Sequence, residues 1–262
     1  MASAIPRVIV LTGFGINCDY ETEDAFNSAG AMAVRVHVNE LIENPLLLAD
    51  YQVLAVPGGF CFGDDLGSGK VLANKLKYRL GDALLEFLGA DKLVIGICNG
   101  FQVLVHLGLL PGGSAAGLKQ SATVTFNDSG KFEDRWVGME SESSSPCVFT
   151  RGMGWIELPV RHGEGKFFTT DESLLRRMNE NGQIALRYTN PDRSRPARYP
   201  FNPNGSLEDV AGICDPTGKV FGLMPHPEAF TSRYHHPRWT REDIADPGQG
   251  LKFFQNAVEY FS

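Results

Sequence analysis

The chain has 262 residues, of which 43% are hydrophobic and 21% are charged, and its formal net charge is −7. A chain of this length and composition can bury a full hydrophobic core, which excludes the disordered and fibrous classes of protein. The negative charge and the lack of a basic run exclude a general nucleic-acid binder, because such proteins obtain most of their non-specific affinity from clustered positive charge.

Nothing in the sequence predicts export or membrane insertion. Residues 1–7 are too short and unpatterned for a signal peptide, and no apolar stretch approaches the roughly 20 residues that a membrane-spanning helix needs. The five cysteines are an odd number without the spacing of a disulfide framework, which is typical of a reducing compartment. We therefore expect a cytoplasmic protein in which Cys18, Cys147 and Cys214 are reduced structural residues.

Strand-like and helix-like segments alternate through the first half of the chain. Four segments rich in Val, Ile or Leu have the length of buried parallel strands, at residues 7–12, 32–38, 52–56 and 93–97. Helical patterns at residues 20–29, with Asp19 as a cap, and at 70–88 would form the crossovers between strands. The alternation predicts an α/β fold with a mostly parallel sheet.

The second half of the chain changes character. Strands in hairpins or sheet extensions are predicted at residues 122–127, 132–139, 154–159 and 183–188, with a short helix at 172–180. Two further strands, 210–214 and 220–224, flank a turn that contains proline and glycine, and an amphipathic helix at 251–261 ends the chain. We expect a mixed sheet within a single domain that spans residues 1–262.

A cysteine, Cys98, stands between Gly96 and Gly100 at the point where a strand passes into a helix predicted at residues 99–107. Small residues two before and two after a sharply turned residue relieve the strain of such an elbow. The start of the helix would direct its amides and positive dipole end at the sulfur, which favours the thiolate. The pattern predicts that Cys98 is a nucleophile.

A proton acceptor for this thiol is predicted far downstream, in the segment that holds His226 and Glu228. Residues two apart in an extended segment share a face, so Glu228 can hold the ring of His226 while the other ring nitrogen faces Cys98. Taken alone, each of these signals is common in structural positions. Because all of them stand at the ends of strand-like segments, the sequence predicts a Cys98, His226, Glu228 triad.

Backbone donors for an oxyanion are predicted in the loop that follows the strand at residues 52–56. Gly58, Gly59 and Phe60 lie in this loop and can present backbone amides. Together with the amide of Asn99 they would form an oxyanion hole, in which each donor is typically worth about 3 kcal/mol.

Other candidate sites are weaker, and we expect no metal on this chain. Gly13 and Gly15 follow the first strand, but the third glycine of a dinucleotide-binding motif is missing, and no phosphate-binding loop occurs. The adjacent His235 and His236 point in different directions, and no cluster has the spacing of metal ligands.

These motifs resemble those of the triad-type (class I) glutamine amidotransferases, and within them the glutaminase subunits of phosphoribosylformylglycinamidine synthase. The resemblance spans essentially the whole chain. It rests, in order, on Gly15-Ile16-Asn17-Cys18-Asp19, Pro57-Gly58-Gly59-Phe60, Gly96-Ile97-Cys98-Asn99-Gly100-Phe101-Gln102, His162-Gly163-Glu164-Gly165, Asn204-Gly205-Ser206 and Met224-Pro225-His226-Pro227-Glu228.

The resemblance implies a fold, a reaction and a set of partners. The fold is a flavodoxin-like three-layer sandwich with a central, mostly parallel mixed sheet. The reaction is hydrolysis of glutamine to glutamate and ammonia, with Gln102, His162 and Gly163 among the glutamine-binding residues. The ammonia would pass to a synthetase subunit that uses ATP and magnesium to aminate formylglycinamide ribonucleotide in purine biosynthesis. An accessory small subunit is an open question, and we expect no cofactor on this chain.

Two other functions stay open at this level. One is a stand-alone hydrolase of the same fold, such as a relative of gamma-glutamyl hydrolase, against which Gln102 and the His-Gly-Glu-Gly segment argue. The other is a subunit that only binds and regulates a synthase, against which the complete triad argues.

A second thiol, Cys61, stands in the predicted oxyanion loop where the family usually has serine. At about 3.3 Å of reach per residue, its sulfur can lie within several ångströms of Cys98. If their α carbons approach to about 5 to 6 Å, a reversible disulfide can form. We favour the alternative, a serine-sized core residue without a redox role, because neighbouring loops rarely meet disulfide geometry.

Overall fold

Eleven strands pair into one large and one small sheet in the computed structural model, which describes residues 5–262. The strands are β1 (Arg7–Thr12), β2 (Met32–His37), β3 (Val53–Val56), β4 (Leu93–Ile97), β5 (Thr123–Thr125), β6 (Glu133–Ser141), β7 (Trp155–His162), β8 (Lys166–Phe168), β9 (Leu186–Tyr188), β10 (Val210–Cys214) and β11 (Val220–Leu223). The α-helices are α1 (Asp19–Ser28), α2 (Val38–Glu43), α3 (Lys70–Gly89), α4 (Asn99–Leu107), α5 (Glu172–Glu180) and α6 (Leu251–Glu259).

The large sheet has a parallel half and an antiparallel half. Its order is β2-β1-β3-β4-β11-β10-β9-β6-β7, and the first five strands of that order run parallel. The remaining strands pair antiparallel, and β5 and β8 form a separate two-stranded sheet. The predicted mixed sheet of an α/β fold is confirmed.

Helices cover the sheet on both faces. Helix α1 packs against α6, where Phe26 and Phe254 meet edge to face with 4.8 Å between ring centroids, and α3 packs against α4. Every residue of β3 and β4 is buried, as expected for parallel strands that are covered on both sides. The buried apolar side chains of both halves of the sheet belong to one hydrophobic cluster. This is the predicted three-layer sandwich.

Several element bounds differ by a few residues from the prediction, and two local differences have a visible cause. Strand β2 ends at His37 rather than at Val38, because the His37 ring accepts a hydrogen bond from the backbone amide of Asn39 and starts the short helix α2. Asp19 does not cap α1, because Cys18 holds that position and makes no capping bond with its side chain. Asp19 is the first helical residue, and its carboxylate lies 3.5 Å from Arg35.

No helix within residues 5–262 combines the length and the apolar character that crossing a membrane requires. Residues 1–4 lie outside the described residues. They belong to the segment 1–7, for which the sequence predicts no signal peptide.

The sheet brings the predicted site loops to one edge. Strands β3, β4 and β11 are adjacent and parallel, so their carboxyl ends meet at the same side of the sheet. Ligands of open α/β sheets bind beyond these ends. The loop with Gly58, the elbow at Cys98 and the segment with His226 follow these three strands in turn.

Candidate active site

Cys98 occupies a strained turn between β4 and α4, with φ of 49° and ψ of −106°. Its backbone amide donates to the carbonyl of Leu223, at the end of β11, over 2.8 Å. The two glycines allow the turn to pack tightly. A Cβ at Gly96 would lie 2.6 Å from the carbonyl oxygen of Gly100, and a Cβ at Gly100 would lie 1.8 Å from the carbonyl oxygen of Val56. The elbow is therefore built by close backbone contact, as the glycine spacing predicts.

His226 and Glu228 form a buried pair next to this elbow. Nδ1 of His226 lies 2.6 Å from Oε1 of Glu228, and the side chains are 3% and 2% exposed. The backbone amide of His226 donates to the carbonyl of Pro159 in β7 over 2.9 Å. Nε2 of His226 has no hydrogen-bond partner within residues 5–262. This arrangement gives Nδ1 the proton and leaves Nε2 free to exchange a proton with the nucleophile.

Gly58 marks the point where the catalytic side chains converge. A Cβ at this position would lie 2.9 Å from Cε1 of His226, 3.5 Å from Cβ of Cys98 and 3.3 Å from Sγ of Cys18. Sγ of Cys98 also lies 3.6 Å from the carbonyl oxygen of Arg161 in β7. Any side chain at position 58 would displace the imidazole, so the absence of a Cβ is part of the site.

The charges around His226 favour its protonated form. Burial alone would lower the pKa of His226, but the charges of Glu228 and the Cys98 sulfur outweigh it and raise this pKa above its usual value. The neighbouring Cys18 and Cys98 thiols act on this pKa in the same direction. The thiolate is the reactive form of cysteine, and an adjacent histidine is the group that activates a thiol for attack.

Two amides are placed to bind an oxyanion. No backbone carbonyl within residues 5–262 accepts the amides of Gly59 and Asn99. Gly59 has φ of 153°, and a Cβ there would lie 2.5 Å from the carbonyl oxygen of Gly15. Phe60 differs, because its amide donates to Gly15 over 2.9 Å. The backbone amide of Phe60 is thus already used, and its half-exposed ring faces that of Phe132 at 6.3 Å between centroids.

The side chain of Asn99 holds the oxyanion loop against the elbow. Its Oδ1 accepts the backbone amide of Cys61 over 3.1 Å and also the Cys61 thiol, while its Nδ2 donates to Gln102 over 2.8 Å. Burial, and secondarily the charge of Asp64, raises the pKa of the Cys61 thiol to about 12. Cys61 is therefore a buried, protonated thiol that anchors the loop, which supports the structural interpretation over the redox one.

The remaining predicted glutamine-binding residues join the His-Gly-Glu-Gly segment to the rest of the site. Gln102 is 3% exposed and donates its side-chain amide to the carbonyl of Glu164. His162 ends β7 as a buried residue, and its Nδ1 lies 3.0 Å from Oδ1 of Asn127, whose backbone amide donates to Gly163. Burial, helped by the charge of His226, lowers the pKa of His162 to about 3 and keeps this ring neutral. Direct glutamine contacts by Gln102, His162 and Gly163 stay a prediction.

A cavity of about 160 Å³ opens beside the nucleophile. Four of its lining residues were predicted as site residues, namely Gly59, Phe60, Cys98 and His226. Sequence reasoning missed the other four, Asn17, Cys18, Phe132 and Arg161. The volume is below the roughly 300 Å³ of pockets for drug-sized ligands, and it suits a small substrate. A larger hollow of about 700 Å³, beside Arg187 and Arg195, contains none of the predicted site residues.

Cys18 corrects a prediction, because it lines the cavity instead of serving only as a structural residue. Burial raises the pKa of its thiol, although His226 opposes the shift. A signal for it was present in the sequence. Asn17 and Cys18 follow the end of β1, at the same edge of the parallel sheet as the other site loops.

Comparison with known proteins agrees with this geometry. A family model described as the CobB/CobQ-like glutamine amidotransferase domain matches residues 5–261. The chain belongs to this family. Among amidotransferases, the phosphoribosylformylglycinamidine synthase subunit PurQ of Dehalococcoides mccartyi is 46% identical over 254 residues, which cover 97% of each chain. The subunit of the same name from Methanococcus maripaludis is 43% identical over 274 residues and covers 100% of both chains.

A solved amidotransferase structure matches the fold as well. The chain is similar to one in the structure of PurLQS from Thermotoga maritima, with a TM-score of 0.72 and 29% identity over 99% of this chain and 100% of that chain. The resemblance inferred from the motifs is therefore confirmed as membership of the amidotransferase family.

Proposed function

We propose that this amidotransferase is the glutaminase component of phosphoribosylformylglycinamidine synthase. It hydrolyses glutamine to glutamate and ammonia and supplies the ammonia to a partner synthetase. The observation that carries the proposal is the strained elbow at Cys98, which faces a His226 ring held 2.6 Å from Glu228. The names of the relatives support the choice of synthase.

The first half of the reaction forms a thioester. The Cys98 thiolate attacks the side-chain carbonyl of glutamine, and the amides of Gly59 and Asn99 receive the resulting oxyanion. The imidazolium of His226 then gives its Nε2 proton to the departing nitrogen, and ammonia leaves. Glu228 keeps the proton on Nδ1 and stabilises the charged ring before the transfer.

The second half of the reaction releases glutamate. His226, now neutral, takes a proton from water, and the hydroxide attacks the thioester carbonyl. The same two amides stabilise the second oxyanion, and the Cys98 thiolate leaves. The residues of this chain account for every proton transfer, so we propose that the hydrolysis needs no metal or cofactor.

The ammonia must reach an acceptor before it is lost to protonation in bulk water. A synthetase subunit that activates formylglycinamide ribonucleotide with ATP and magnesium supplies this acceptor in purine biosynthesis. The likeness to a chain of PurLQS supports such an assembly and favours an accessory small subunit within it. The free glutamine and nucleotide substrates of this pathway support a cytoplasmic location, which is part of the proposal.

A substitution of Cys98 tests this function. Cys98→Ala should abolish glutamine-dependent synthesis by the complex with a cognate synthetase and leave ammonia-dependent synthesis intact, because added ammonia bypasses the thioester. The measurement is the rate of product formation with each nitrogen donor. The matched control is Cys147→Ala, which removes a buried thiol outside the cavity and should retain both activities. Equal loss of both activities in Cys98→Ala would refute the assignment.

The two alternative functions are less well supported. A stand-alone hydrolase should work on its own substrate without a synthetase, whereas the relatives are named as synthase subunits. A regulatory subunit would not need the ordered pair of His226 and Glu228 beside a strained cysteine.

A further inference from the structure

Cys18 lies next to the catalytic histidine although the proposed hydrolysis does not use it. Ligand atoms of Cys18, His226 and Glu228 all lie within 4.8 Å of one another. Cys98 borders the same space, because its Cβ, the Sγ of Cys18 and the Cε1 of His226 all fall within 3.5 Å of one Cβ position at Gly58. Two thiols and an imidazole therefore converge in the cavity of about 160 Å³.

The imidazole points a free nitrogen at this cluster. His226 is 3% exposed, and its Nε2 has no hydrogen-bond partner within residues 5–262. Its other nitrogen is held by Glu228 at 2.6 Å. Histidines that bind a metal characteristically donate their second ring N–H to a carboxylate, which fixes the tautomer and makes the ligating nitrogen more basic. Glu228 already holds this position.

The geometry points to an inhibitory Zn²⁺ site made by the Sγ atoms of Cys18 and Cys98 and by Nε2 of His226. Zinc takes thiolate and imidazole ligands in a tetrahedron, in which a sulfur and a nitrogen lie about 3.5 Å apart. The proposal requires the two cysteine side chains to place their sulfurs at this spacing from Nε2 and from each other when the metal binds. A water molecule would complete the tetrahedron, and the thiols would release their protons to solvent when the metal binds, without any change in oxidation state.

The chemistry of the ligands selects the metal. Thiolates and imidazole favour Zn²⁺ over hard ions such as Mg²⁺, which prefer oxygen ligands. The metal would occupy both the nucleophile and the general acid–base group. Glutamine and zinc therefore compete for the same free enzyme, so the metal acts as an inhibitor rather than a cofactor.

Direct metal binding tests this site without reference to catalysis. The purified chain, reduced and free of metal, is titrated with Co²⁺ and with Zn²⁺ in competition with a chromophoric chelator. We expect one tight site per chain, a thiolate-to-cobalt charge-transfer band that Zn²⁺ abolishes, and no displacement by Mg²⁺. In Cys18→Ser, we expect the zinc affinity to fall by more than the roughly tenfold to 100-fold that loss of an outer-sphere partner costs.

Control variants decide where the metal binds. Cys147→Ser should keep the tight site, because Cys147 does not line the cavity. If Cys147→Ser loses the site and Cys18→Ser keeps it, the metal binds elsewhere and the proposal is overturned. The proposal is also overturned if the wild-type chain does not bind Zn²⁺, or if its Zn²⁺ affinity is no higher than that of Cys18→Ser. Thermal unfolding of the metal-free variants verifies that each is folded.

This proposal uses the positions of three side chains and can fail independently of the proposed function. If zinc did not bind, loss of glutamine-dependent synthesis in Cys98→Ala would still support the glutaminase function. Conversely, a zinc site that needs Cys18 would stand even if the substrate were not glutamine.

Discussion

At the scale of single residues, the short contact between Glu228 and His226 sets the protonation of the catalytic histidine. The carboxylate fixes the proton on Nδ1, and its charge contributes to the raised pKa of His226. The two side chains have different roles. His226 transfers the proton, whereas Glu228 only positions and stabilises the ring that does so.

This division of roles predicts the order of two substitutions. His226→Ala should remove acid–base catalysis, which typically contributes about 10²- to 10⁴-fold. Glu228→Gln should lower kcat less, because losing an orienting group usually costs less than losing the base. The measurement is the single-turnover rate of thioester formation and hydrolysis. A larger loss in Glu228→Gln would contradict the assigned roles.

Glu228→Gln should also change the pH profile of kcat/KM. Because the charge of Glu228 raises the pKa of His226, its removal lowers this pKa, and the imidazolium is lost at a lower pH. The alkaline limb of kcat/KM should therefore move to lower pH in Glu228→Gln. Glu157→Gln is the matched control, because Glu157 contacts His236 at 3.3 Å outside the cavity and should leave the profile unchanged.

At the scale of secondary structure elements, the elbow depends on the contact between the start of α4 and the end of β3. A Cβ at Gly100 would lie 1.8 Å from the carbonyl oxygen of Val56. Val56 ends the fully buried strand β3, whose backbone has little freedom to move within the sheet. The position of Cys98 relative to the oxyanion loop is thus set by the closeness of a helix and a strand.

Gly100→Ala should destabilise the protein and displace the nucleophile. Overpacking typically costs about 1 to 3 kcal/mol, and we expect the free energy of unfolding in urea to fall by this amount, together with glutaminase activity. Gly89→Ala is the control, because Gly89 lies in α3 with no atom within 4 Å of its added Cβ. Alanine is favoured over glycine in helices, so this variant should be unchanged or slightly more stable. Equal stability of the two variants would exclude the packing argument.

The element scale also shows how far the sequence alone determines the fold. Strands β1 and β4 and helices α4 and α5 have their predicted bounds, because long apolar or amphipathic segments with clear ends leave few alternatives. Helix α2 was missed because its start depends on the ring of His37, a contact that local patterns do not reveal.

The site was predictable where it depends on the chain's own motifs and less so where distant segments meet. The elbow at Cys98 and the pairing of His226 with Glu228 follow from local spacing. The place of Cys18 depends on strand order, which brings the end of β1 beside β3. The clamp of Asn99 on Cys61 joins residues 38 positions apart, and no periodicity indicates it.

At the scale of the whole molecule, a buried neutral histidine couples stability to pH. Burial lowers the folded-state pKa of His162 to about 3, whereas the unfolded ring keeps its ordinary value of 6.5. At a pH between these two pKa values, the unfolded chain carries a proton on the His162 ring that the folded chain does not. The stability that neutral His162 contributes is therefore complete above pH 6.5 and is lost as the pH falls towards 3.

We expect this group alone to lower the free energy of unfolding by about 2 kcal/mol between pH 7 and pH 5. The measurement is urea unfolding of the protein and of His162→Gln at both pH values. The variant should show a smaller decrease than the wild type, whatever its stability at pH 7. His235→Gln, which changes an exposed histidine, should keep the full decrease. A decrease in His162→Gln as large as in the wild type would rule out this origin.

The bond from the amide of Cys98 to the carbonyl of Leu223, 2.8 Å long, places the nucleophile inside the ladder between β4 and β11. Amides in central ladders exchange their hydrogens only when the whole domain opens, whereas surface loops open on their own at little cost. Cys98 and the segment that delivers His226 thus belong to the most protected cooperative unit of the molecule. The oxyanion donor Gly59 follows β3 in a buried loop that the bond from Phe60 to Gly15 and the side chain of Asn99 hold in place, so the charge-stabilising amide and the reacting pair stay in register together.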